Sequence, residues 1–305
     1  MSRRVIYFLA TVFTVAPFLF LESRYGASLL YGKAPSADGE SAVLVGAGDI
    51  ADCTDLSGAE ATAKLLEKIP GTVMAVGDLA YPDGTEANFD CYNKTWGRVK
   101  LRTRPAPGNH EFHSVGATFY FRYFGAAAGD PKDGFYSYEL GAWHIIVLNS
   151  ECAEVGGCNP GSREEKWLRA DLAAHPVACT LAYFHKPLFS SGGKHGDDLA
   201  LQPFWQALYD ANADVVISGH DHDYERFAPQ TPEGKSDPVH GIREFVVGTG
   251  GKNHRPFSEP HPNSEVRDSS AFGVLKLTLK PGSYDWEFIP EAGKAFKDSG
   301  SGQCH

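Results

Sequence analysis

The chain is expected to fold as an α/β protein, a four-layer α/β/β/α sandwich of two mixed sheets flanked by helices, and three observations predict this. Short apolar, β-branched runs alternate with longer amphipathic ones, the rhythm of βαβ units with a mostly parallel inner sheet. Polar motifs follow those short runs directly, which is where open α/β sheets place their sites. The later chain adds strand-like runs paired across Gly141 and across Pro281-Gly282, a signal for antiparallel strands beside the parallel ones.

Residues 42–45 read as the first strand. Residues 57–69 read as a helix, because Ser57 has Glu60 three positions on, a capping-box pattern, and Pro70-Gly71 stops it. A strand at 73–76 and a helical stretch at 86–99 follow, then an antiparallel pair at 135–140 and 143–148. The runs Leu181-Ala182-Tyr183 and Val215-Val216-Ile217 read as buried strands, and 162–175 and 199–211 as helices. Residues 244–247, 274–279 and 284–289 read as further strands. No internal repeat interrupts this order.

At 305 residues and 42% hydrophobic content the chain can bury one substantial core. Basic residues at Arg3 and Arg4 precede an uncharged stretch from 5 to 21, which reads as a secretory signal or a retained anchor. The expected organisation is a signal peptide or anchor at 1–34, a linker at 35–41 and one catalytic domain at 42–305. Export, to the periplasm or the cell exterior, or anchoring through residues 5–21, places the domain where disulfides form. Of the six cysteines, Cys152 and Cys158 enclose five residues and are the expected pair. A Cys53–Cys91 bridge would join two motif-bearing loops, leaving Cys179 and Cys304, though sequence alone does not fix the pairing. The net charge of −10 disfavours nucleic acid or an anionic membrane surface as partner. A stable membrane partner is expected only if the N-terminal segment is retained.

Five short motifs carry the chemistry: Gly48-Asp49, Gly77-Asp78-Leu79-Ala80-Tyr81, Gly108-Asn109-His110-Glu111, Phe184-His185 and Gly219-His220-Asp221-His222. Each follows an apolar or Pro-punctuated run, and together they offer enough oxygen and imidazole donors for two metal ions. One Gly-Asp alone would be a turn; five motifs in this order describe a site.

On these residues the chain resembles the calcineurin-like metallophosphoesterases and, within them, the purple acid phosphatases, over roughly residues 41–290. Metallophosphoesterases open with Asp-x-His, but position 51 is Ala and Tyr81 stands three residues after Asp78, the purple acid phosphatase exchange. The segments 219–226 and 246–251 also look like that family's late motifs. The resemblance implies that Asp49, Tyr81 and His222 hold one ion, that Asn109, His185 and His220 hold the other, and that Asp78 bridges them. It implies Fe(III) with a divalent ion (Zn, Mn or Fe), since carboxylate and phenolate are hard anionic donors and imidazoles suit a divalent ion. It further implies hydrolysis of small-molecule phosphate monoesters by a metal-bound hydroxide, with His110 as general acid. His195, in the Gly-rich loop 190–196 shortly after His185, is a second candidate by its position. A phosphodiesterase or nucleotide pyrophosphatase could use the same site, and a non-catalytic metal- or phosphate-binding protein could retain it. Tyr224, Glu225 and Arg226 are expected to support the site, with Arg226 paired to a carboxylate that orients a ligand histidine.

Overall fold

The structure, a computed structural model, describes residues 41–305. The expected leader or anchor at 1–34 lies outside the described residues, as does nearly all of the linker. Among the described residues no helix is long and apolar enough to cross a membrane.

The chain runs β1 (Ala42–Ala47), β2 (Ala51–Asp52), α1 (Ser57–Lys68), β3 (Thr72–Val76), β4 (Ala80–Tyr81), α2 (Glu86–Lys94), β5 (Thr103–Ala106), α3 (Asn109–Phe112), α4 (Thr118–Phe124), β6 (Tyr136–Leu140), β7 (Trp143–Val147), α5 (Arg163–Ala174), β8 (Thr180–Tyr183), α6 (Gln202–Asp210), β9 (Val215–Ser218), β10 (Tyr224–Phe227), β11 (Arg243–Val247), β12 (Ser264–Asp268), β13 (Gly273–Lys280), β14 (Ser283–Pro290) and β15 (Asp298–Gln303). One sheet has the order β15-β14-β13-β1-β3-β5, with β1, β3 and β5 parallel. A second large sheet has the order β12-β10-β11-β9-β8-β7-β6, with β7, β8, β9 and β11 parallel, and β2 and β4 form a separate parallel pair. Both large sheets are therefore mixed, as expected.

Alternation along the strands decides the layering. In the second sheet Ile145, Val147, Leu181, Tyr183, Val215 and Ile217 share one core with Val45, Val73 and Ala75 of the first sheet. Their neighbours Ile146, Ala182, Val216 and Val246 point the other way, into a core with Leu168 and Leu172 of α5 and Phe204, Trp205 and Leu208 of α6. Ala59, Ala63 and Leu66 put the buried stripe of α1 on the first sheet. Polar cross-ties fix the sheets to one another: Trp143 Nε1 donates to the Lys280 carbonyl at 2.9 Å and the Tyr183 hydroxyl to the Arg104 carbonyl at 2.9 Å. All six cysteines are bridged, as Cys53–Cys91, Cys152–Cys158 and Cys179–Cys304.

Several local expectations need correction. Ser57 is the first helical residue of α1 and caps nothing; the carboxylate of Asp55 accepts its N–H instead. The helix expected over 86–99 breaks at Thr95 and continues as a 3₁₀ segment, Trp96–Arg102. The helix expected from 199 opens as a 3₁₀ turn, Leu199–Leu201, before α6. β5 escapes the sequence reading because it contains Pro105, which is tolerated because this strand is a sheet edge. β15 carries almost no apolar signal, since its glycines exist to admit aromatic rings: a Cβ at Gly300 would lie 2.3 Å from the Trp286 ring.

At the edge of the second sheet, His144 is 1% exposed, with Nδ1 2.7 Å from Glu139 Oε1 and Nε2 2.7 Å from Asp171 Oδ2. Both ring nitrogens face carboxylates, so the imidazolium satisfies both. Burial opposes that charge, but Asp171 and Glu139 outweigh it and the pKa is raised. A raised folded-state pKa gives stability that is complete below the unfolded value of about 6.5 and lost as pH rises through the folded value. His144→Gln is expected to cost about 1–3 kcal/mol at pH 5 and clearly less at pH 9 by urea unfolding. Equal losses at both pH values would rule out a charged His144.

Candidate metal centre

The C-terminal ends of β1, β3 and β5 from one sheet and of β8 and β9 from the other meet at one rim, and every expected ligand stands there. Asp49 and Asp78 come two residues after β1 and β3, Tyr81 closes β4, Asn109 opens α3, and His185, His220 and His222 follow β8 and β9. The oxygen donors thus all come from the first sheet's side and the imidazoles all from the second's. Asp49, Asp78 and His220 have φ of 60°, 51° and 71°, a left-handed backbone that non-glycine residues avoid. Hydrogen bonds hold it: Asp49 N–H donates to the Gly77 carbonyl at 3.0 Å, and His220 N–H to Asp49 Oδ2 at 2.8 Å. Gly108 is required by contact, because a Cβ there would lie 2.3 Å from Asp78 Oδ1.

The donors fall into two groups that share Asp78. The Tyr81 hydroxyl oxygen lies 2.7 Å from Asp49 Oδ1, 3.1 Å from Asp78 Oδ2 and 3.2 Å from His222 Nε2. His185 Nε2 lies 3.2 Å from the same Asp78 Oδ2 and 3.1 Å from His220 Nδ1. Asp78, His185 and His220 are close enough to share one ion. The seventh expected donor, Asn109 Oδ1, is buried without a hydrogen-bond partner.

These contacts suit positive charge. His185 directs Nδ1 at the Val76 carbonyl, 3.1 Å away, and His222 directs Nδ1 at Asn253 Oδ1, 2.6 Å away. Each neutral ring therefore keeps its proton on Nδ1 and turns a bare Nε2 toward a carboxylate. A lone pair facing an anion at that distance is repulsive unless a positive charge lies between. Among the described residues neither Asp49 nor Asp78 has a lysine or arginine partner; their ion pairs are with His222, His185 and His110. Burial works against a charge on His185, yet the Asp78 carboxylate raises its pKa to about 10, so the pocket draws positive charge. Burial, then the charges of Asp49 and Asp78, push the Tyr81 phenol well up, and only a cation would make it a phenolate. The residues fit a metal pair.

Two supporting residues were not singled out in the sequence. Glu111 is fully buried, and its Oε2 accepts the N–H groups of Asp78 at 2.9 Å and Gly108 at 2.8 Å, while Oε1 accepts those of Leu79 at 2.9 Å and Ala80 at 3.2 Å. It therefore binds the Asp78 loop to the Asn109 loop. Burial and the Asp78 charge push its carboxyl up to about 8 against the pull of the amides, and a cation beside Asp78 would relieve the second cause. Asn253 orients His222, a role the sequence reading looked for in a carboxylate paired with Arg226. Arg226 pairs instead with Asp298 and Glu265, and Asp298 serves Tyr224 and Trp286. Glu225 accepts from Ser191 and Ser264 and so braces the 190–196 loop.

His110 and His195 stand on different sides. His110 donates its backbone N–H to Asp78 Oδ1 at 2.9 Å, packs on Tyr81 with ring centroids 4.2 Å apart, and places Nε2 3.7 Å from Asp78 Oδ2. Its Nδ1 is bound to the Pro82 carbonyl. His195 lies on His220 with centroids 4.0 Å apart, and its Nε2 accepts an N–H from Arg255.

The calcineurin-like phosphoesterase family model matches residues 37–224. Purple acid phosphatase 18 of Arabidopsis thaliana is 29% identical over 227 residues, covering 67% of this chain and 49% of that protein. An uncharacterized protein of Mycobacterium tuberculosis is 28% identical over 265 residues, covering 73% of this chain and 50% of its own. The chain spans about half the length of the curated relatives it matches. Among solved structures, the purple acid phosphatase PPD1 of yellow lupin (Lupinus luteus) seeds has a TM-score of 0.73 at 20% identity, covering 87% of this chain and 54% of the lupin chain. GAP50, the anchor in the inner membrane complex of Plasmodium, has a TM-score of 0.67 at 14% identity over 87% of this chain and 89% of its own. At such identities these two structures establish the fold.

Glu111→Ala would leave four buried amides without their acceptor, and is expected to cost about 2–5 kcal/mol and to lower bound metal although Glu111 faces no ion. Glu111→Gln keeps one acceptor oxygen and should lose less. Unfolding curves and metal analysis of both variants check this, and wild-type metal content in Glu111→Ala would refute the role.

Proposed function

This chain belongs to the calcineurin-like phosphoesterase family, and from that membership we propose an exported phosphatase of the purple acid type that hydrolyses small-molecule phosphate monoesters. The observation that carries the type is the position of Tyr81, whose hydroxyl oxygen meets Asp49, Asp78 and His222 within 3.2 Å. Other metallophosphoesterases use a histidine from the first motif there, and here position 51 is Ala. The three disulfides support an oxidising location.

In this reading Asp49, Tyr81 and His222 would hold a trivalent iron, Asn109, His185 and His220 would hold a divalent ion, and Asp78 would be shared between them. When bound, the two ions would neutralise phosphoryl oxygens and make an attacking water acidic. The protein's own groups do the rest. Asp49 and Asp78 are held by backbone N–H donors, so they are preorganised before any ion arrives. Asn253 and the Val76 carbonyl fix the His222 and His185 rings with Nε2 inward. His110 is the general acid: with Nδ1 committed to Pro82, the proton it delivers sits on Nε2, so the ring must be an imidazolium when the ester oxygen leaves.

Two variants test the assignment. His110→Ala should keep both ions and lose about 10²–10⁴ in kcat, with a smaller penalty for leaving groups that need no proton. Equal penalties for good and poor leaving groups would assign His110 to positioning. Iron-loaded wild type should absorb in the visible through its phenolate, and Tyr81→Phe should bleach that band while retaining hydrolysis if the ions stay bound. Stoichiometric Fe(III) in a colourless wild type would falsify ligation by Tyr81.

A further inference from the structure

Four cationic side chains among the described residues lie beside the proposed centre; two are already neutralised, and exposed Lys194 flanks His195 in the Gly-rich loop. Lys186, next to His185, places Nζ 2.8 Å from Glu151 Oε2. Lys252 pairs with Asp52 and sits 4.9 Å from the centroid of the Tyr81 ring. Arg255 differs. Among the described residues its guanidinium has no carboxylate partner, and its one side-chain hydrogen bond is to the imidazole of His195.

The backbone of Arg255 is pinned beside one half of the site, where its N–H donates to the His222 carbonyl at 3.1 Å. The tip of its side chain reaches the other half, where His195 lies on the His220 ring with centroids 4.0 Å apart. The residue therefore crosses the rim from the His222 side to the His220 side. An arginine carries a permanent charge and five N–H donors in a fork that matches phosphate oxygens, and only one of those donors is spent, on a neutral acceptor. Because Arg255 donates to His195 Nε2, the neutral ring holds its proton on Nδ1, and the pair forms a positively charged edge beside the carboxylate-rich floor. A dianionic phosphate would find a partner there that Lys186 and Lys252, paired to acids, do not offer.

We propose that Arg255 is a specificity-determining residue that binds a non-bridging oxygen of the substrate's terminal phosphate, so that the site prefers monoesters over diesters. This rests on the phosphoesterase reading above. A monoester has three non-bridging oxygens and a second negative charge, whereas a diester has two such oxygens and one charge, so a guanidinium at the rim favours the monoester. His195 holds the guanidinium in place across the rim when no phosphate is bound.

The test uses the metal-loaded, full-length protein with Arg255→Met, which keeps the apolar stem, and Arg255→Lys, which keeps the charge without the fork. Calorimetric binding of inorganic phosphate is read beside kcat/KM for p-nitrophenyl phosphate and bis(p-nitrophenyl) phosphate. In Arg255→Met, phosphate affinity and monoester kcat/KM should each fall about 10- to 100-fold with metal content unchanged, and the monoester should lose at least about tenfold more than the diester. Arg255→Lys should fall between. Unchanged phosphate affinity, equal losses for both esters, or loss of metal from both variants would overturn the proposal. A metal-loaded wild type that neither binds phosphate nor turns over either ester would instead overturn the phosphoesterase reading, and the Arg255 proposal with it.

Discussion

Four backbone amides converging on the buried Glu111 carboxylate are the constraint on which the rest of the site depends. The loops after β3 and β5 have no regular partner for those N–H groups, and burying them unpaired would cost more than the loops could recover elsewhere. Glu111 satisfies all four at once. In doing so it fixes the backbone of Asp78, which in turn accepts the His110 amide and leaves its other oxygen turned to Tyr81 and His185. Asp49 plays the matching part across the site, taking the His220 amide on one oxygen and the Tyr81 hydroxyl on the other. The donor positions are therefore set by backbone hydrogen bonding.

The same arrangement concentrates carboxyl groups in a buried place. Asp49 and Asp78 are buried, and the neighbouring Asp221, Asp223 and Glu225 are buried as well. Asp221 is satisfied by Ser190 and the amides of His195 and Gly196, and so braces the Gly-rich loop instead of facing the centre. Among the described residues Asp49 and Asp78 have only histidines for countercharges. A folded state with these carboxylates ionised and the imidazoles neutral is short of positive charge, and bound cations would supply it, so metal binding and folding should be thermodynamically linked.

Much of this was legible in the sequence because the signals were local. Each motif begins directly after an apolar run, so a strand end and a polar tip could be read together, as for Val73 to Asp78 and Val215 to His222. What escaped was whatever depends on distant residues. Asn253 orients His222 from 31 positions away and has no signature of its own. Glu111 was visible as part of a motif, but its task, collecting amides from residues 78 to 80, is a matter of tertiary geometry. β15 was invisible since Ser-Gly repeats resemble a linker until the Trp286 and Tyr284 rings are seen lying against them. Ser57 misled because Asp55, two residues earlier, supplies the acceptor that a capping serine would have provided.

The division of donors between the two sheets has a further consequence for how the site is held together. Carboxylate, phenol and amide oxygens are contributed by the β1-β3-β5 side, and imidazoles by the β8-β9 side, so chemical hardness is allotted by layer. The layers are nevertheless tied at the site, since Asp49 of one accepts the backbone N–H of His220 in the other and the Val76 carbonyl orients the His185 ring. Any slide of one sheet across the other would therefore separate the two donor sets together.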